Sequence, residues 1–154
     1  MNYETLLLEA EKNAIDVYER KMNSSIKGLY GDRVIWINKN QSSTEKYCTL
    51  SEELGHHYTT SGHILNLKTI TNIKQEKRAR NWGYKKLVPL KKIVQAHKTG
   101  IKNRYELAEF LNVTEKFLDE AIQRYKEEFG LFKNVDGLTV CFEPLSVVEF
   151  FEIF

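Results

Sequence analysis

Apolar residues recur at three- and four-residue intervals from Tyr3 to Met22, at Leu6, Leu7, Ala10, Ala14, Val17 and Tyr18. This period predicts an amphipathic helix, which Asn23-Ser24-Ser25 ends. The pattern then changes to strand type. Ile26 to Tyr30 and Arg33 to Asn38 flank Gly31-Asp32, and β-branched and aromatic residues fill the second run, so a hairpin is expected with both faces of that second strand covered. Helical spacing resumes from about Glu45 to Tyr58, behind a capping sequence Ser42-Ser43-Thr44-Glu45, and Thr59-Thr60-Ser61-Gly62 breaks it. A second helix is expected from about Ile73 to Val88, stopped by Pro89, and a short one from Leu90 to Lys98, closed by Gly100. Arg104 to Leu111 and Thr114 to Phe129 form a helix pair around Asn112-Val113, with Gly130 ending the second. Leu138 to Phe142 is the candidate third strand, before Pro144 and an apolar end, Val147 to Phe154.

A chain of 154 residues with 42% hydrophobic content can bury one sizeable core. No repeat or low-complexity linker interrupts it, so a single domain is expected over 1–154: a core over 1–100, with the helix pair and C-terminal strand of 101–154 packed on it. Charged residues, 29% of the chain, nearly cancel to +2, so bulk charge does not call for nucleic acid or an acidic membrane. Cys48 and Cys141 form no C-x-x-C unit, and two free thiols are expected. Acids at Glu4, Glu9, Glu11 and Asp16 are unlike a signal peptide, and no window approaches the roughly 20 apolar residues of a membrane span. A cytoplasmic protein is the expectation.

The candidate chemistry lies in Leu50-Ser51-Glu52-Glu53-Leu54-Gly55-His56-His57-Tyr58. On a helix, Glu52 and His56 stand at i and i+4 on one face, with Glu53 at i−3 from His56. H-E-x-x-H has the same layout: two ligands hold a metal, and the Glu between them activates the attacking water. Here the first ligand position is Glu52. Zinc accepts carboxylate oxygen at about the same distance as imidazole nitrogen, so a Glu, His pair is chemically admissible, while a carboxylate-rich site also suits manganese or iron. The rival pair Glu53 and His57 would leave no base between the ligands. Gly55, costly inside a helix, points to a close approach there. In the next helix Glu76, Ala79 and Gly83 share one stripe, so two small residues allow tight packing and Glu76 becomes the candidate third ligand. Taken singly, each of these residues is more often part of a solvated helix face, and Glu76 sits among Lys74, Lys77, Arg78 and Arg80, where surface ion pairs are common.

The combination resembles a phage or mobile-element member of the ImmA/IrrE family of metallopeptidases. In that family a helix bearing H-E-[LI]-G-H is followed by a second of the form E-x-x-A-x-x-[FW]-[AG], ending near a proline. Glu52-Glu53-Leu54-Gly55-His56, Glu76-Lys77-Arg78-Ala79-Arg80-Asn81-Trp82-Gly83 and Leu87-Val88-Pro89 follow that order and spacing over about the first two-thirds of the chain. The resemblance implies His56 and Glu76 as metal ligands and Glu53 as general base, with Glu52 in the slot of the family's first histidine. It further implies an α+β, zincin-like minimal metallopeptidase, mostly helical with a small antiparallel sheet and a C-terminal helical segment. Zinc is the implied metal, and the implied substrate is a phage-type helix-turn-helix repressor. An oxyanion donor is also required, and His57, His63 and Tyr84 are the candidates.

Two other functions compete with the endopeptidase: a catalytically inactive relative that binds a repressor without cutting it, and a direct DNA-binding regulator. The second draws on the helix pair from Tyr105 onward, which has the form of a helix-turn-helix. Its charge opposes that reading. From Thr114 to Phe129, Glu115, Asp119, Glu120, Glu127 and Glu128 outnumber Lys116, Arg124 and Lys126, a poor composition for a helix seated among phosphates. Lys74 to Lys92 carries eight bases against Glu76 alone, most simply a solvated face.

Overall fold

A computed structural model describes residues 1–59 and 70–149. The chain forms two compact units, Met1–Leu87 and Val88–Phe154. The architecture is α+β, with small sheets among a majority of helices.

The first unit opens with α1 (Tyr3–Lys12), started by a reciprocal cap in which the Asn2 side chain accepts from the Thr5 amide and the Thr5 hydroxyl accepts from the Asn2 amide. The helix expected to run on to Met22 stops here. Asn13 caps it, Ala14 adopts a left-handed φ of 58°, and the chain turns into β1 (Asp16–Arg20). Val17 and Tyr18 fit the helical period, but parallel pairing with Ile35 and Trp36 claims them, a long-range contact that outweighs a local preference.

β2 (Gly28–Gly31) and β3 (Val34–Asn38) form the expected antiparallel hairpin, and the sheet order is β1-β3-β2, leaving β2 at an edge. One face of β3 is sealed rather than two: Ile35 and Ile37 are buried, while Trp36 is half-buried against Tyr18 and under the Arg20 guanidinium.

α2 (Ser43–Thr59) begins at a second reciprocal cap: the Glu45 amide donates to Ser42 Oγ, and the Ser42 amide donates to Glu45 Oε1. α3 (Ile70–Leu87) runs beside it and ends before Pro89. Their crossing has almost no side chain in it. A Cβ on Gly55 would lie 2.1 Å from the carbonyl oxygen of Ala79, and one on Gly83 would lie 2.9 Å from Ser51 Oγ. Ser51 and Gly55 are one turn apart on α2, Ala79 and Gly83 one turn apart on α3, and the pairing runs in opposite directions. Two helices in so close a crossing gain dispersion along both backbones. Ser51, fully buried, donates its hydroxyl to the Cys48 carbonyl, so the contact leaves no orphaned donor.

The second unit consists of α4 (Leu90–Lys98), α5 (Arg104–Leu111), α6 (Glu115–Phe129) and a sheet β4-β5-β6, made of Phe132–Val135, Leu138–Phe142 and Leu145–Glu149. Leu138–Phe142 is therefore a strand, but it does not join the hairpin of the first unit. It pairs antiparallel with β4 and β6, two strands too short and too exposed to show a clear alternation in sequence. Asn112 supplies the left-handed residue between α5 and α6, and Thr114 caps α6. Arg104 bonds both oxygens of Asp119 and also reaches Glu115, tying the starts of the two helices together. Cys48 and Cys141 are both free. No helix among the described residues is long and apolar enough to cross a membrane.

The α2–α3 crossing gives a direct test. Gly55→Ala must drive the two backbones apart and should lower unfolding free energy by about 3 kcal/mol or more. Gly31→Ala, with nothing within 4 Å of the new Cβ, should stay within about 0.5 kcal/mol of the parent. Urea titrations of both variants decide this, and equal stabilities would disprove the tight crossing.

Candidate active site

The α2–α3 crossing aligns the residues that carry the candidate chemistry. With Gly55 against Ala79, the next residue on α2, His56, faces Glu76, one turn before Ala79 on α3. His56 Nε2 and Glu76 Oε2 lie 3.0 Å apart. The other oxygen of Glu76 is 3.4 Å from Arg80 Nε, along the same helix. His56 is buried, and its Nδ1 has no hydrogen-bond partner among the described residues.

Glu53 lies on the side of α2 toward the sheet. It is 9% exposed, and β2 passes close by: a Cβ on Gly28 would lie 3.2 Å from Glu53 Oε1 and 2.7 Å from Thr49 Cγ2. Glycine is required there because the strand presses against the base of the carboxylate. One turn further along α2, His57 Nδ1 is 2.7 Å from the hydroxyl of Tyr30, two residues on from Gly28 in the same strand. His57 also meets Tyr58 edge to face, and Tyr58 stacks on Trp82 of α3 at 5.0 Å.

Burial pushes the Glu53 carboxyl up to about 7, with the charges of Glu52 and Glu76 adding to the rise and His56 opposing it. Burial works against a charged His56, but the hydrogen bond to Glu76 and the surrounding carboxylates outweigh it and raise its proton affinity overall. Glu76 is held below the usual range, first by its bond to His56 and then, against burial, by the charges of His56 and Arg80. The three groups thus divide in character: an ion pair between helices, and beside it a carboxyl balanced between its protonated and ionised forms near neutrality.

The other sequence candidates are placed unevenly. Glu52 is partly exposed, and its charge acts on both Glu53 and His56. It does not complete a cluster: among the described residues no group of three His, Cys, Asp or Glu side chains is disposed to hold a metal ion. The donors that converge are His56 and Glu76. One imidazole and one carboxylate suit zinc chemically and supply two of the three protein ligands of a catalytic site. Tyr84 is packed in the core, 7% exposed, and His63 lies outside the described residues. Tyr30 was not singled out from the sequence. The available signal was the alternation of its strand, which puts Tyr30 on the same face as Gly28.

The profile of the IrrE N-terminal-like domain family, Peptidase_M78, matches residues 10–123. The chain belongs to this family. The match takes in the hairpin, both helices of the crossing and the first part of the second unit, so membership rests on the whole scaffold of the candidate site and confers a metallopeptidase-type function in general terms. No curated protein matches the chain.

The raised carboxyl has a measurable consequence in the metal-free protein. Folded Glu53 keeps a proton that the unfolded chain releases above its ordinary value of 4.5, so stability falls as pH rises from there to about 7 and the penalty is constant beyond. Glu53→Gln removes the penalty. Its advantage over the parent should grow between pH 5 and pH 7 and reach on the order of 3 kcal/mol at pH 8. Denaturant melts across that range check the sign, and a pH-independent difference would contradict the burial.

Proposed function

We propose that this protein is a metal-dependent endopeptidase that cuts a regulatory protein, in keeping with its family, and that the substrate is a phage-type helix-turn-helix repressor met in the cytoplasm. The observation that carries the reading is the placement of Glu53: a buried carboxyl three residues before His56 on α2, flanked by the His56–Glu76 pair and by Gly28 of β2.

In this reading His56 and Glu76 would hold the metal, and Glu52, one turn before His56 and partly exposed, would have to turn in toward them to serve as the third ligand. Zinc is the first choice, with manganese or iron as competitors for a set rich in carboxylate. When bound, the metal supplies the positive charge that polarises the scissile carbonyl and acidifies the attacking water. The remaining work falls to this chain. Glu53 would take the proton of that water and deliver it to the leaving amide nitrogen, a task that its burial, which raises its proton affinity, favours. Among the described residues β2 has a strand partner on one side only, and an extended substrate segment can pair with the other side, beside Glu53. Gly28 leaves the strand no side chain to press on the carboxylate.

A second reading has its own support. Only two donors converge among the described residues, as in a relative that grips a repressor without cutting it. Metal analysis of the purified protein, with co-incubation against a purified phage-type helix-turn-helix repressor, separates the two. Metal together with cleavage supports the peptidase. A stable complex with an intact repressor supports the binder.

Three substitutions sharpen the assignment. Glu53→Gln should keep the fold and the metal and lose cleavage, and normal turnover would remove Glu53 from the reaction. Glu76→Ala should lose the metal. Glu52→His, which adds a second imidazole donor to His56 and the carboxylate of Glu76, should tighten zinc binding by at least tenfold in a competition titration, whereas no change would place the third ligand elsewhere.

A further inference from the structure

Strand β2 and helix α2 meet in two places that repeat with the same step. Alternate residues of a strand lie about 6.8 Å apart on one face, and residues four apart on a helix about 6 Å apart. Gly28 and Tyr30 therefore pair off against Glu53 and His57, and the two contacts are seen: the bare Gly28 backbone beside Glu53 Oε1, and the Tyr30 hydroxyl 2.7 Å from His57 Nδ1. The same strand that borders the candidate base also grips the next polar side chain along the helix.

We propose that Tyr30 is a positioning residue that holds the His57 ring with its proton on Nε2, so that Nε2–H donates to the oxyanion that develops at the peptide carbonyl beside Glu53. This rests on the peptidase reading above. A phenol is a better donor than acceptor, because its oxygen lone pair is drawn into the ring, whereas the bare nitrogen of a neutral imidazole is a good acceptor. Tyr30 therefore donates to Nδ1, and the ring proton is confined to Nε2. Orientation is set as well as tautomer. Tyr30 and Tyr58 both meet the imidazole edge to face, at 5.6 and 4.9 Å between centroids, and so restrain rotation about its side-chain bonds. His57 Nε2 bonds no described residue, and the ring is only partly buried, so this nitrogen remains available to a substrate. His57 also follows Glu53 by one turn on the same row, which keeps donor and base within the span of one peptide unit and its neighbours.

The test has two independent readouts on the full chain. The first is 15N NMR of the histidine side chains, which reads the tautomer of His57 without any turnover. The parent should show Nε2–H, and Tyr30→Phe should show a mixture. The second is cleavage of the repressor. Tyr30→Phe should lower kcat about tenfold with KM little changed, and His57→Leu about 100-fold. His57→Gln, whose amide can still donate, should recover most of that loss, and Tyr30→Phe combined with His57→Leu should be no slower than His57→Leu alone. A parent His57 protonated on Nδ1, or an unchanged kcat in Tyr30→Phe, would overturn the proposal. If the parent cuts nothing, the peptidase reading itself has failed and takes the donor role with it, while a tautomer that responds to Tyr30→Phe would still uphold the positioning.

Discussion

The His56–Glu76 pair at the centre of the candidate site follows from two helices approaching until backbone touches backbone. Gly55 lies on the carbonyl of Ala79 and Gly83 on Ser51, so neither helix can slide or rotate without collision. That constraint aligns the residues beside the small ones. His56 follows Gly55, Glu76 precedes Ala79 by three, and the imidazole and carboxylate meet at 3.0 Å because the crossing leaves them nowhere else to point. A bulkier crossing would separate the two donors, and His56 would lose the partner that raises its proton affinity.

The flank of α2 next to His56 shows a different use of close packing. There a strand, not a helix, comes near, and Gly28 lets it reach the Glu53 carboxylate. A buried carboxyl without a cation of its own is unfavourable for the metal-free fold, and the surrounding Glu52 and Glu76 make it more so. Such a group costs stability and is tolerated where its proton affinity has a use. The same α2 helix therefore carries paired and unpaired charge within one turn, the His56–Glu76 ion pair toward α3 and, three residues before His56, the buried Glu53 carboxyl toward β2.

Charge elsewhere is partly spent within the fold. In the basic run after Lys74, Arg80 is turned to Glu76 and Lys86 to Glu9 at 2.7 Å, while Lys74, Lys77 and Arg78 remain exposed. Arg104, at the front of the helix pair in the second unit, is held by Asp119 and Glu115. Those acids open α6, the helix that would face the groove in a DNA-binding arrangement, so its leading turn presents carboxylates.

Helix limits, caps and the spacing of candidate residues could be read from the chain itself because they are local. Ser42 with Glu45, Pro89, Asn112 and Gly130 mark boundaries through bonds and dihedral preferences that span a few residues. Glu53 and His56 fall on adjacent rows of α2 for the same reason, and the small residues announced a tight contact before its partner was known. What required the tertiary structure was anything decided by pairing across distance. Val17 and Tyr18 match a helical period, yet β3 recruits them as a parallel strand. Leu138–Phe142 is strand-like by composition, but only the neighbouring β4 and β6 determine which sheet it joins. The bond from Tyr30 to His57, and the convergence of two donors instead of three, depend on how a strand and two helices meet. Local sequence limits which conformations a segment can take, and burial against distant segments selects among them, because that is where most of the folding free energy is gained.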